Sequence, residues 1–210
     1  NEYAGHHPDQ HDLLFLPSNP DVMFSASDGG VSKTIDNTAN PVIWNEINDG
    51  YISSQFYTIA LDHSTNDDII IGGLQDNGTY FTNSTNNQLP WYPSIDGDGS
   101  YCHIVDGGHT YYFSKQNCRL VKATVDQGTG AMTAYRRFDP IGASDYIFIN
   151  PFVVDPNDSA KMYLAGGRRV YRQDDLTQIA LNSQWDSTSQ GWTAFPDSLT
   201  ILTEWVTAIA

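Results

Sequence analysis

An all-β fold with many tight turns is predicted by the composition and by the absence of helical periodicity. Aromatic residues make up 12% of the 210 residues, and Asn, Asp, Ser, Thr and Gly are abundant, whereas Lys is scarce. Tyr and Trp favour strands, while Asn, Asp and Gly favour turns. No run of helical periodicity is longer than about two turns, so helices are not expected to build the core.

Internal repetition identifies the kind of all-β fold. Three segments align with one another, at 19–34, 66–81 and 157–172. Each reads as a polar turn, an apolar strand, a Gly-rich turn and a second strand, with Val31, Thr79 and Val170 in equivalent places. A more divergent copy lies at 101–123, which gives a period of about 46 residues.

Each copy extends to four short strands over about 40–50 residues, which is the signature of a β-propeller blade. The fourth strands are expected around Trp44, Trp91, Phe138 and Trp192. The predicted blades are 11–50, 56–98, 99–140 and 147–196, and residues 205–210 are expected to start the next blade. Because ring closure protects the sheet edges and common rings have about six to eight blades, we expect the chain to be part of a larger ring. A closed four-bladed ring and a β-sandwich are the alternatives, although sandwiches rarely repeat at this period.

One of the repeats resembles a known family. Asp28-Gly29-Gly30-Val31, followed by Lys33-Thr34, Ile35-Asp36-Asn37 and Trp44, resembles the Asp-box (BNR-type) propeller repeat. Residues 72–79 are similar to the same group. The resemblance implies a propeller like those of xyloglucanases, sialidases, sortilin-type receptors and large secreted bacterial surface proteins. It concerns the fold and leaves the function open.

The net charge of the chain limits the kinds of molecule that it is expected to bind. The formal net charge is −15, from 25 acidic and 10 basic residues, so the chain is expected to repel nucleic acid and anionic membranes. Cations, neutral sugars or a basic partner would suit it. No stretch approaches the roughly 18–20 apolar residues that span a bilayer, so no membrane insertion is expected. Together with the family resemblance, this predicts an extracellular or cell-surface location, in a bacterium, as part of a larger chain or complex.

Strand order predicts where a ligand would bind. In a propeller, the turns between the second and third strands (B–C turns) and the loops from the fourth strand to the next blade (D–A loops) share one face. The polar residues expected there are His7, Asp9, His11, Asp28, Asp49, Gln75, Asp76, Asp96, Asp98 and Arg168. The residues predicted to bind the ligand itself are His7, Asp9, His11, Asp49, Gln75 and Arg168.

Carboxylates on this face allow a catalytic alternative. Asp28 and Asp76 could act as the acid pair of a glycoside hydrolase that resembles xyloglucanases. The competing interpretation, which we favour, is that both residues belong to Asp/Gly turns and bond their own backbone. The sequence leaves open whether the protein is an enzyme. It has no Gly-x-Ser-x-Gly elbow, and its arginines are not grouped as a sialidase needs.

No cofactor is required by this reading, but two metal sites are conceivable. Asp96, Asp98 and Ser100 carry oxygens at alternate positions, as in the start of a Ca²⁺ loop. His7, Asp9 and His11 could bind Zn²⁺, although hydrogen bonds that orient the loop are the favoured interpretation.

Two cysteines complete the candidates. Cys102 is expected to start the first strand of the third blade, and Cys118 is expected in the B–C turn at the same end. A disulfide is therefore predicted and would fit an oxidising compartment, with two buried thiols as the alternative. The function predicted overall is a secreted or cell-surface module that binds a glycan or protein ligand without catalysis.

Overall fold

A computed structural model describes residues 6–7, 9–50, 54–62, 69–84, 86, 91–105, 107, 110–195 and 204–209. These residues form four antiparallel sheets of four strands each, together with two 3-10 helices of three residues. The prediction of an all-β fold built from four-stranded antiparallel blades is therefore confirmed. The predicted turn at 66–68 and the end residues 196 and 210 of two predicted segments lie outside the described residues.

Two compact units make up the chain, residues 1–53 and residues 54–210. The first unit is one sheet in the order β1-β2-β3-β4. Its strands are β1 (Gln10–Leu16), β2 (Asn19–Ser27), β3 (Gly30–Thr34) and β4 (Asn45–Glu46). Trp44 directly precedes β4 and stacks on the ring of His6, which precedes β1, with 4.7 Å between the centroids, so it packs within the first unit.

The second unit contains three sheets, each formed from strands that follow one another in the sequence. The first consists of β5 (Phe56–Leu61), β6 (Ile70–Leu74), β7 (Gly78–Thr82) and β8 (Tyr92–Ile95). The next consists of β9 (Gly99–Val105), β10 (Thr110–Lys115), β11 (Arg119–Val125) and β12 (Met132–Arg137), with the 3-10 helix η1 (Gln116–Cys118) between β10 and β11. The last consists of β13 (Phe152–Asp155), β14 (Asp158–Gly166), β15 (Arg169–Gln173) and β16 (Trp192–Ala194), with η2 (Leu176–Gln178) after β15.

The sheet β9–β12 is buried on both faces, and β10 shows how. Tyr111 and Phe113 pack in a cluster with Ile71 and Phe81 of the preceding sheet. Tyr112, which points the other way because side chains alternate along a strand, packs with Phe138 and with residues of the following sheet. Face-to-face packing of successive four-stranded sheets is the blade arrangement that the repeat predicts.

Glycines let β6 and β7 of one sheet approach β9 of the next sheet closely. A Cβ atom on Gly73 would lie 2.2 Å from the backbone oxygen of Ser100. A Cβ atom on Gly99 would lie 2.2 Å from the backbone oxygen of Gly78. Only a residue without a side chain fits at either point, because the obstructing atoms are backbone.

The segment 204–209 lies outside the strands. It is held by a hydrogen bond in which the Val206 N–H donates to the Gly167 oxygen, at 2.8 Å. That residues 205–210 begin another blade stays a prediction, as does the size of the ring. None of the helices in the described part of the chain has the length and apolar character needed to span a bilayer.

Candidate functional site

The B–C turns and D–A loops of the second unit are hydrogen-bonded to one another at one end of its sheets. The Asp76 N–H donates to Asp98 Oδ1 at 3.1 Å, and the Gln116 N–H donates to the Asp98 oxygen at 3.0 Å. The Asn117 N–H donates to the Phe148 oxygen at 3.0 Å. These bonds connect three successive sheets, so this end is formed before any ligand arrives.

Gln75 and Asp76 lie in the turn between β6 and β7. The Gln75 N–H donates to the Gln55 oxygen at 2.9 Å, and Asp76 has a φ of 58°, the left-handed conformation that Asp tolerates in turns. Nearby, burial and then the charges of Asp98 and Asp76 raise the pKa of Tyr57. Asp76 thus takes part in this turn and lies next to a second carboxylate, while a catalytic role for it stays a prediction.

The three residues of the predicted calcium loop have different surroundings. Asp96 Oδ1 accepts a hydrogen bond from Lys115 Nζ at 2.7 Å, which lowers the pKa of Asp96. Asp98 accepts from the Asp76 backbone, while the Ser100 side chain is fully buried in β9. Asp96 therefore already has a cation from its own chain as a partner. Calcium binding at these residues stays a prediction that this pairing does not favour.

Two of the clefts that the described residues form open at this end of the second unit. The first has a volume of about 410 Å³ and is lined by Asp76, Asn77, Tyr80, Pro93, Ser94, Ile95, Asp96 and Gly97. The second, of about 520 Å³, is lined by Gly142, Ser144, Asp145, Gly166, Arg168, Arg169, Tyr171 and Trp205. Sequence reasoning singled out Arg168 but missed Asp145, Arg169 and Trp205.

Four of the predicted residues come together in the first unit, where β1 begins beside the β2–β3 turn. His11 Nε2 pairs with Asp28 Oδ1, and the Asp28 N–H donates to the Asp9 oxygen at 3.1 Å. His7 Nδ1 accepts from the Asp9 N–H at 3.3 Å. Both histidines therefore have partners where β1 begins, and a ligand-binding or metal-binding role for them stays a prediction.

Asp49 lies exposed in the turn that follows β4, and its neighbour Asn48 makes the contacts. Asn48 Nδ2 donates to the Gly29 oxygen at 3.0 Å, and its Oδ1 accepts from the Val31 N–H at 2.8 Å. The sequence signal for this role is an Asn just before an Asp-Gly turn.

Comparisons with known proteins find similar solved structures but no family. No family model matches the sequence, and no curated protein matches it. Among solved structures, the chain is similar to the RRP9 WD40 repeats at 15% identity, covering 83% of this chain and 50% of that one with a TM-score of 0.41. It is similar to U3-55K at 13% identity, covering 91% and 53% with a TM-score of 0.43. It is also similar to apo AztD from Citrobacter koseri at 13% identity, covering 84% and 46% with a TM-score of 0.40.

The chain thus spans about half the length of the solved structures that it matches. The Asp-box family assignment stays a prediction, because no family model supports it.

The disulfide prediction is wrong, because Cys102 and Cys118 are free thiols. The two side chains pack in different clusters on opposite faces of the sheet β9–β12. Cys118 lies with Leu120 and Phe138, whereas Cys102 contacts the cluster of Tyr111 and Phe113. Burial raises the pKa of Cys102 to about 12 and the pKa of Cys118 well above its usual value. The prediction placed both residues at one end of a blade but did not consider which face each side chain takes.

Several carboxyl groups have displaced pKa values, and the direction matters for catalysis. Hydrogen bonds lower the pKa values of Asp36, Asp96, Asp126, Asp158 and Asp175. The general acid of a glycoside hydrolase needs the opposite displacement, so that it stays protonated near neutral pH. These five groups are therefore unsuited to that role.

Proposed function

We propose that this chain is a propeller module that binds a glycan non-covalently at the clefts of its B–C and D–A loops. The observation that carries the proposal is the pair of clefts, of about 410 and 520 Å³, at the hydrogen-bonded end of the second unit. Both volumes fall within the range typical of ligand sites, about 300–1,000 Å³. The lining residues combine aromatic rings with charged and amide groups, as glycan recognition requires.

The mechanism follows from the hydrogen bonds between the loops. The Asp76–Asp98 and Asn117–Phe148 bonds hold the turns in place without a ligand. Binding to pre-formed loops avoids part of the entropic cost of ordering them. No covalent step is needed, and the turn role of Asp76 and the pairing of Asp28 with His11 support a non-catalytic module.

A secreted or cell-surface location in a bacterium is part of the proposal. The net charge of −15 and the resemblance of residues 28–44 to Asp-box repeats support it. The free thiols contribute no support, because a disulfide would have been the sign of an oxidising compartment.

Native mass spectrometry on the full chain tests the proposal. The protein is incubated with neutral and acidic oligosaccharides and, separately, with basic peptides, and both the complex and the ligand are weighed after a long incubation. Bound, intact oligosaccharide is the expected result. A panel in which only peptides bind, or in which nothing binds, would contradict glycan binding.

Shortened oligosaccharides would instead identify a hydrolase. In that case Asp28→Asn and Asp76→Asn would abolish cleavage while leaving binding in place, and the non-catalytic proposal would be wrong.

A further inference from the structure

We infer that the larger cleft is a binding site for the carboxylate-bearing ring of an acidic oligosaccharide, specifically a hexuronic acid residue. This inference rests on the proposed glycan binding and names the ligand class for one of the two clefts. The residues that carry it are Ser144, Asp145, Arg168, Arg169, Tyr171 and Trp205, which are called the arginine cleft below.

Two arginines lie together in this cleft on a chain that is acidic overall. The chain has only 10 basic residues against 25 acidic ones, yet two adjacent arginines line one cleft. Arginine binds a carboxylate through two parallel N–H donors, with a geometry that lysine lacks. A local basic cleft on an acidic chain is the place where an anionic ligand meets the least repulsion.

Arg168 differs from the arginines that serve the fold. Arg137 donates to Asp139 at 2.6 Å, and Arg172 donates to Asp174 at 2.6 Å. Arg168 is exposed and forms no ion pair with any residue that the structure describes. Its donors are therefore available to a ligand.

Two aromatic rings, those of Tyr171 and Trp205, also line the arginine cleft. Trp205 is 45% exposed, and its position is held by the 2.8 Å hydrogen bond from the Val206 N–H to the Gly167 oxygen. The Tyr171 ring lies over Gly166, so closely that a Cβ atom there would be 2.5 Å from it. Two positioned rings offer the flat apolar faces on which a sugar ring stacks.

Ser144 and Asp145 favour a sugar acid over other anions. Asp145 and Ser144 line the same cleft, and Asp145 is held in the left-handed conformation, with a φ of 61°, against Gly167. A carboxylate and a hydroxyl accept hydrogen bonds from ligand hydroxyl groups. A hexuronic acid has one carboxylate for the arginines and several hydroxyl groups for Asp145, whereas an acidic peptide lacks the hydroxyl groups.

Isothermal titration calorimetry on the full chain tests the inference with three probes: tri-galacturonic acid, its methyl ester and tri-aspartate. The methyl ester has the same rings without the charge. We expect tri-galacturonic acid to bind at least about tenfold more tightly than its ester, with affinity falling as salt is added. Tri-aspartate is expected to bind more weakly than the sugar acid.

Variants connect that binding to the cleft. Arg168→Gln is expected to weaken the binding of tri-galacturonic acid at least about tenfold. Arg168→Lys is expected to restore only part of the lost affinity. The matched control is Arg119→Gln, which removes an exposed arginine that lines neither cleft and should leave the affinity unchanged. Because both arginines are exposed, equal melting temperatures would show that the variants fold.

The outcomes separate this inference from the proposed function. Equal affinity for acid and ester, tighter binding of tri-aspartate, or an unchanged affinity in Arg168→Gln would each overturn the sugar-acid site. If neutral oligosaccharides bind, and Arg168→Gln does not change the affinity for any oligosaccharide, glycan binding would stand and this inference would be wrong. If no oligosaccharide binds at all, the proposed function and the inference both fail.

Discussion

At the scale of single residues, the pair Arg137–Asp139 tests how much a buried charge contributes to stability. Asp139 is 4% exposed and accepts two hydrogen bonds from the Arg137 guanidinium, at 2.6 and 2.9 Å. Asp139→Asn leaves the guanidinium without its anion, so we expect the free energy of unfolding in urea at pH 7 to fall by about 2–3 kcal/mol. Asp158→Asn is the control, because its ion pair with Lys161 is partly exposed to solvent, and it should change the unfolding midpoint much less. Equal effects in both variants would contradict this account.

The two thiols give a second residue-scale prediction. The chain should contain two free cysteines when it is unfolded in denaturant without reductant, as counted with a thiol-reactive reagent. In the folded protein near pH 8, both should react slowly, because burial raises the pKa of Cys102 to about 12 and that of Cys118 far above its usual value. Finding no thiols until a reductant is added would restore the disulfide.

Residue roles were predictable only where they are local. The sequence predicts that Asp28-Gly29 and Asp76 lie in tight turns, because Asp and Gly favour such turns through interactions within a few positions. That Trp205 and Arg168 line the same cleft could not be predicted, because it depends on a segment far along the chain being held at Gly167. The cysteine error has the same origin, since the face taken by each side chain depends on exact strand register.

At the scale of elements, the close approach of two sheets makes a sharp prediction. Gly73→Ala places a Cβ atom about 2.2 Å from the Ser100 backbone oxygen, which cannot move without shifting β9. We expect a loss of at least about 2 kcal/mol in the free energy of unfolding, measured by urea denaturation. Gly128→Ala is the control, since its nearest obstruction is the Asp126 side chain at 3.4 Å and the site is exposed. A variant Gly73→Ala as stable as this control would show that the sheets are not packed as described.

The long inner strands were easier to predict than the short outer ones. β6, β10 and β14 carry apolar runs beside Gly-rich or polar turns, so the repeat alone places them. β4 has two residues and β16 has three, and too few side chains alternate there to define a register. The tryptophans marked their positions to within about one residue because they pack at the sheet edge, as Trp192 does when its Nε1 donates to the Phe138 oxygen at 2.6 Å.

At the scale of the whole molecule, the repeat predicts the architecture while the ligand site depends on its irregularities. Packing between the three sheets of the second unit follows from alternation along strands such as β10, which any copy of the repeat encodes. The larger cleft arises where copies differ, in the loop after β12 and the segment 204–209. Sequence reasoning therefore reached the fold and the end of the sheets that carries the clefts, but not the composition of the larger cleft.

The central claim is that the loops around both clefts are pre-formed on three packed sheets, ready to bind a ligand. Hydrogen–deuterium exchange of the ligand-free protein tests it most directly, because no ligand need be known. The account predicts that the amides of Asp76, Gln116 and Val206, each of which donates a hydrogen bond between loops, exchange far more slowly than unstructured amides. Exchange of these three amides at the unprotected rate, while the amides of β10 stay protected, would show that the sheets form without the loops and would contradict the claim.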